Sequence, residues 1–171
     1  MAKRQMESEI RTTSEREQRL RLLVVDEDTK DLDYYSAVLR RLGYEVQSVD
    51  SYSRAAAALG RERFDLVIVE QGSPDFEGRS VLSRAVEVDR HVPVLVLTRA
   101  VDTECCIEAL DSGAREYVQK PLTATELREL VGDYVKLSED TFSASPNALL
   151  RRDFAEGKGR QAERESWRKA S

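Results

Sequence analysis

The chain has 171 residues, of which 40% are hydrophobic and 35% charged, enough apolar content for one core with polar extensions. Its net charge of −5 gives no overall attraction to nucleic acid or to anionic membranes, and no apolar run is long enough to span a bilayer. One histidine and two adjacent cysteines, Cys105 and Cys106, argue against histidine-based catalytic or metal sites and against a disulfide framework.

Charge and hydropathy divide the chain into three parts. Residues 1–19 are a charged N-terminal extension without the apolar segment of a secretory signal, and residues 20–137 hold the apolar runs of a domain. Residues 138–171 are a polar tail, expected to be flexible, in which basic and acidic residues alternate and no second core follows. We therefore expect a cytoplasmic protein with no DNA-binding domain and no membrane contact.

Within the middle part, short apolar runs alternate with helical patterns. The apolar runs lie at 21–25, 44–49, 65–69, 92–97 and 115–118. The helical patterns lie at 29–42, 51–60, 78–88, 102–112 and 123–137. This alternation predicts an α/β fold, a doubly wound parallel sheet with helices on both faces.

Polar side chains follow four of the five predicted strands. They are Asp26-Glu27-Asp28, Glu70-Gln71, Thr98-Arg99 and Gln119-Lys120. The carboxyl ends of parallel strands share one edge of a sheet, where ligands bind, so these groups should converge. The crowded acids require compensation by a cation, by a lysine or by open water.

Residues 20–137 resemble response-regulator receiver domains (CheY-like). The stretches that carry the resemblance are LLVVDED, FDLVIVEQGSPDFEG, VPVLVLT and GAREYVQKPL. The resemblance implies a flavodoxin-like (βα)5 sheet with strand order 2-1-3-4-5.

The resemblance also implies roles for particular residues. Asp26 and Glu27, together with Glu70, stand where the family binds Mg²⁺, and Thr98 and Lys120 stand where it contacts a phosphoryl group. Tyr117 stands where an aromatic side chain swings inward on activation.

Two residues depart from the family pattern. Glu70 replaces the aspartate that accepts the phosphoryl group, and its extra methylene moves the carboxylate by about 1.5 Å, which predicts a poor acceptor. Arg99 replaces a small residue; it either folds over the pocket to pair with Glu70 or Asp26, or points to solvent. Because Glu70 could fill the space of the ion, Mg²⁺ binding is left open. Asp28 is expected to cap the following helix.

These observations favour a pseudo-receiver: a non-enzymatic interaction module of two-component (phosphorelay) signalling that works without phosphorylation. Glu70 could mimic an active state or lock an inactive one; an exposed Tyr117 and a Thr98 turned away from Glu70 would count against mimicry. The alternative is a working, Mg²⁺-dependent phosphoreceiver. An unrelated nucleotide-binding enzyme is disfavoured because the acidic first turn lacks a glycine-rich phosphate loop.

The expected partners are a histidine kinase or a downstream effector. The resemblance implies that they bind the face formed by the fourth helix, fifth strand and fifth helix, around Tyr117. A homodimer is left open.

Overall fold

The computed structural model describes residues 19–139, which form five strands and five helices in alternation. The strands are β1 (Arg21–Val25), β2 (Glu45–Val49), β3 (Leu66–Glu70), β4 (Val94–Thr98) and β5 (Glu116–Gln119). The helices are α1 (Thr29–Arg41), α2 (Tyr52–Leu59), α3 (Arg79–Val88), α4 (Thr103–Asp111) and α5 (Ala124–Glu139). Each predicted element is present, with bounds within two residues of the sequence pattern. The predictions for residues 1–18 and 140–171 lie outside the described residues.

All neighbouring strands are parallel, and their order is β2-β1-β3-β4-β5. The predicted doubly wound, flavodoxin-like fold is therefore confirmed. The order changes direction between β1 and β3, which places the end of β3 beside the end of β1, in the register Val25↔Val69. Asp26 and Glu70, each one residue further along, are consequently neighbours.

The sheet separates two apolar cores, as the period of two along a strand requires. On β1, Leu23 and Val25 face the core covered by α2, α3 and α4, whereas Leu22 and Val24 face the core covered by α1 and α5. Strands β3 and β4 are buried at every position, which explains why their sequences are nearly continuous apolar runs.

Helix starts follow the predicted capping chemistry. The Asp28 carboxylate accepts hydrogen bonds from the backbone N–H groups of Lys30 and Asp31 at the start of α1. Thr123 and Glu126 form a reciprocal capping box before α5. Over residues 19–139, no helix is both long enough and apolar enough to cross a membrane.

Candidate functional site

The carboxyl edge of the sheet gathers buried polar side chains from four strands. Asp26 follows β1, Glu70 ends β3, Thr98 ends β4 and Lys120 follows β5, and all four are buried. The convergence predicted from the sequence is therefore present in the fold.

Lys120 is the centre of this cluster. Its ammonium nitrogen lies 2.7 Å from Asp26 Oδ2, 2.8 Å from Glu70 Oε1 and 2.9 Å from Asp31 Oδ2, and its side chain is only 3% exposed. The compensation that the crowded acids require is thus supplied by a lysine. Three charge-assisted hydrogen bonds use all three ammonium donors, so Lys120 has no further proton to offer.

Asp31 is a site residue that the sequence analysis missed. It lies in the first turn of α1, where an acidic residue is ordinarily explained by the helix dipole. Its place three residues after the capping Asp28 was the available signal, because that spacing keeps both side chains near the start of the helix.

The buried charges perturb one another. Burial raises the pKa of Asp26 to about 7, with a further upward contribution from Glu70, and Lys120 opposes both. Burial alone would lower the pKa of Lys120, but its bonds to Asp26, Glu70 and Asp31 outweigh burial and raise it. Lys120 therefore stays protonated across the physiological pH range, and the pocket retains a fixed positive charge.

Arg99 lies across the mouth of the pocket. Its Nη2 is 2.5 Å from Asp28 Oδ2 and 3.0 Å from Asp31 Oδ2, and its Nε is 3.9 Å from Glu70 Oε1. Neither of the two orientations that the sequence left open describes this arrangement fully, because Arg99 approaches Glu70 only at 3.9 Å and is not turned wholly to solvent. The closest partners are Asp28 and Asp31 rather than Glu70 or Asp26, and the side chain remains 57% exposed.

The two switch positions differ in their contacts. The Thr98 hydroxyl donates to the backbone oxygen of Ala100 at 2.8 Å, and within residues 19–139 no hydrogen bond joins it to Glu70. Tyr117 is partly buried against the core, and its hydroxyl donates to Gln71 Oε1. The contact of Thr98 therefore argues against mimicry of a phosphorylated state. The partly buried Tyr117 does not add to that argument, because only an exposed Tyr117 would count against mimicry. Gln71 was not assigned a role from the sequence.

The predicted magnesium ligands are only partly assembled. Asp26 and Glu70 converge, but Glu27 is exposed, and the described residues contain no group of three or more His, Cys, Asp or Glu arranged to hold a metal ion. Lys120 is bonded to one oxygen of each converging carboxylate, and Asp26 Oδ1 accepts the backbone N–H of Asp28. As arranged, these side chains do not fit a divalent ion, which needs several free oxygen ligands.

A buried tyrosine hydroxyl lies near the same acids. Tyr52, the first residue of α2, is 8% exposed, and its hydroxyl has no hydrogen-bond partner among the described residues. Burial raises the pKa of this hydroxyl, and the negative charges of Glu70, Glu27 and Glu77 raise it further. This residue was not identified from the sequence, since a tyrosine in an amphipathic helix normally indicates core packing.

The loop after β3 is packed closely against the pocket. A Cβ atom added to Gly78 would lie 2.2 Å from the backbone oxygen of Glu70, so only glycine allows this approach. The glycine that ends the motif SPDFEG thus allows the loop to pack against the backbone of Glu70, the residue at the acceptor position.

Comparisons with known proteins agree on the family. The sequence model of one protein family, the response regulator receiver domain, matches residues 22–132. The DNA-binding response regulator MtrA of Mycolicibacterium smegmatis is 34% identical over 122 residues, which are 71% of this chain and 53% of that protein. The transcriptional regulatory protein ZraR of Salmonella typhimurium is 30% identical over 127 residues, 74% of this chain and 29% of that protein. The chain thus spans about half of the first relative's length and less of the second's.

Among solved structures, a CheY-like receiver domain protein from Methanospirillum hungatei JF-1 superimposes with a TM-score of 0.68 at 28% identity, covering 71% of this chain and 98% of that chain.

Proposed function

The chain belongs to the response-regulator receiver family, and on that premise we propose that it is a phosphorylation-independent receiver used as an interaction module in two-component signalling. One observation carries the proposal: the Lys120 ammonium is bonded to Asp26, Glu70 and Asp31 at 2.7–2.9 Å. A side chain of the chain itself therefore compensates these buried carboxylates in part, at the position where a metal ion or a phosphoryl group would otherwise contact them.

The acceptor position supports the same conclusion. Glu70 occupies it, and its longer side chain already reaches Lys120. A phosphoryl group on Glu70 Oε1 would displace this buried contact. In-line transfer depends on position, and an error of about 1 Å can slow such a step by roughly 100-fold.

Arg99 adds a second cation at the entrance. Its guanidinium contacts the carboxylates of Asp28 and Asp31 at 2.5 and 3.0 Å and lies 3.9 Å from Glu70 Oε1. A phosphoryl donor approaching Glu70 would meet this side chain first. We propose that Arg99 acts as a gate of the pocket.

Partners are proposed from the family and from the surface. Receiver domains act with histidine kinases and effectors, and exposed apolar side chains lie on and beside α4, which is one part of the predicted partner face formed with β5 and α5. They are Val101, Ile107 and Leu110, with 60%, 55% and 41% of their surface exposed. The homodimer and the cytoplasmic location stay predictions.

A magnesium-dependent phosphoreceiver is the second candidate. The convergence of Asp26 and Glu70 favours it, because receiver domains generally bind Mg²⁺ at this acidic pocket. Phosphorylation would require Lys120 to release at least one carboxylate and Glu27 to turn inward.

The two candidates differ in their response to beryllofluoride, a phosphoryl analogue. The amides of Glu70, Thr98 and Tyr117 are followed by NMR in Mg²⁺ alone and then in Mg²⁺ with beryllofluoride. We expect no shift in the wild-type protein. Glu70→Asp, which restores the acceptor side chain of the family, is the matched variant and is expected to respond. A wild-type shift that requires both additions would establish the second candidate instead.

A further inference from the structure

Gln71, the residue after the acceptor position, is hydrogen-bonded to the switch tyrosine. The Tyr117 hydroxyl donates to Gln71 Oε1, although the two residues are 46 positions apart. The same hydroxyl accepts the backbone N–H of Asp102 at 3.5 Å. Through this one hydroxyl, the end of β3, the loop before α4 and β5 are tied together.

The Gln71 side chain is itself fixed. Gln71 is 4% exposed, its backbone N–H donates to Leu97 O at 2.7 Å, and its Nε2 donates to Ser73 O at 3.2 Å. The acceptor that Tyr117 uses is therefore held in place from both sides. A buried amide whose donor and acceptor are both engaged has no competing orientation of equal energy.

The acidic pocket takes no part in these contacts. The Thr98 hydroxyl is bonded to Ala100, and Glu70 is bonded to Lys120. Tyr117 thus has its inward position without a hydrogen bond from either residue. The contact that holds it lies beside the pocket, one residue further along the chain than Glu70.

We propose that Gln71 is a positioning residue that holds Tyr117 inward and so fixes the loop before α4, independently of the charge state of the acidic pocket. That loop carries Val101, which is 60% exposed, and leads into the exposed Ile107 and Leu110 of α4. The partner face then keeps a single conformation. The inference deepens the proposed function and rests on it, since a receiver that is not phosphorylated needs something other than a phosphoryl group to set the conformation of its partner face.

The test measures the accessibility of Tyr117 in the full chain. In photo-CIDNP NMR with a flavin dye, exposed tyrosines give strong signals, and Tyr34, 44% exposed, is the internal reference. Gln71→Leu removes the acceptor and is expected to raise the Tyr117 signal severalfold relative to Tyr34, because one hydrogen bond can shift a two-state equilibrium by up to about tenfold. An unchanged Tyr117 signal in Gln71→Leu overturns the inference.

A second variant protects the test against misfolding of Gln71→Leu. Tyr117→Phe keeps the ring and removes the donor, and it is expected to shift the Asp102 amide. Tyr134→Phe is the matched control, because its hydroxyl donates to Glu116 instead and its loss should leave the Asp102 amide unchanged. An Asp102 amide that does not respond to Tyr117→Phe also overturns the inference.

Glu70→Gln separates this inference from the proposed function. If Gln71 alone holds the tyrosine, Glu70→Gln leaves Tyr117 inaccessible; release of Tyr117 in that variant overturns the claimed independence. The beryllofluoride response of the wild-type protein is measured separately. A wild-type response together with release by Gln71→Leu would refute phosphorylation independence while supporting the role of Gln71 in positioning Tyr117.

Discussion

At each edge of the sheet one basic side chain contacts two or more carboxylates. The basic side chain is buried at the carboxyl edge and partly exposed at the amino edge. At the carboxyl edge, Lys120 is 3% exposed and contacts three carboxylates. At the amino edge, Arg21 is 34% exposed and contacts Glu45 at 3.0 Å and Glu62 at 2.6 Å. Similar distances therefore have different consequences. Water screens the Arg21 contacts, whereas the Lys120 contacts are the main compensation for buried charge.

The largest expected effect comes from removing each cation in turn. Lys120→Met leaves Asp26 and Glu70 buried without their partner and is expected to lower the free energy of unfolding by about 3–5 kcal/mol. Arg21→Met breaks exposed pairs and is expected to lower it by less than about 1 kcal/mol. Urea denaturation of both variants at neutral pH measures the difference. Equal losses would show that burial does not separate the two edges.

Glycine substitutions compare the packing at the two edges. Gly78→Ala places a Cβ 2.2 Å from the backbone oxygen of Glu70, an atom that cannot move freely. It is expected to lower the free energy of unfolding by about 1–3 kcal/mol. Gly60→Ala, at the end of α2, meets the flexible end of Arg84 at 3.0 Å and the backbone oxygen of Ala57 at an ordinary contact distance of 3.5 Å, and should be nearly neutral. Thermal unfolding distinguishes them, and a neutral Gly78→Ala would contradict the tight packing of the loop against the pocket.

The pH dependence of stability tests the buried acids. The pKa of Asp26 is raised to about 7 in the folded state, so the folded protein holds a proton that the unfolded chain releases above about pH 4. The stabilisation from this proton is complete below pH 4 and is lost as pH rises through 7, by at most about 1.4 kcal/mol per pH unit.

Asp26→Asn isolates this contribution, because it removes the titrating group. We expect the stability difference, wild type minus variant, to decrease as pH rises across that interval. A difference that stays constant with pH would mean that Lys120 keeps Asp26 ionised throughout.

The smallest expected effect concerns two tyrosine hydroxyls. Tyr52→Phe removes a buried hydroxyl that has no hydrogen-bond partner within residues 19–139, so stability should be unchanged or should rise by up to about 1 kcal/mol. Tyr134→Phe removes a hydroxyl that donates to Glu116 at 2.7 Å, and stability should fall by about 1 kcal/mol. Chemical denaturation with wild type as reference measures both changes. A loss in Tyr52→Phe equal to that in Tyr134→Phe would indicate that the Tyr52 hydroxyl has a bonding partner.

Local chemistry made much of the fold predictable. The alternation of apolar runs and helical patterns depends on neighbouring residues, as do the Asp28 cap and the Thr123–Glu126 capping box. The place of Glu70 at a strand end was also readable, because it follows directly on a buried run. The family resemblance supplied the strand order and the positions of Thr98 and Lys120.

The partners of the site residues were decided by the tertiary structure. Lys120 binds Asp31 across 89 residues, Arg99 binds Asp28 across 71, and Tyr117 binds Gln71 across 46. Such pairs depend on how each helix is rotated and how far each strand extends, to within a few tenths of an ångström. The sequence by itself determined that acids and cations would meet at one edge of the sheet. Only the folded chain determined which charges neutralise one another, because hydrogen bonding is directional and short-ranged.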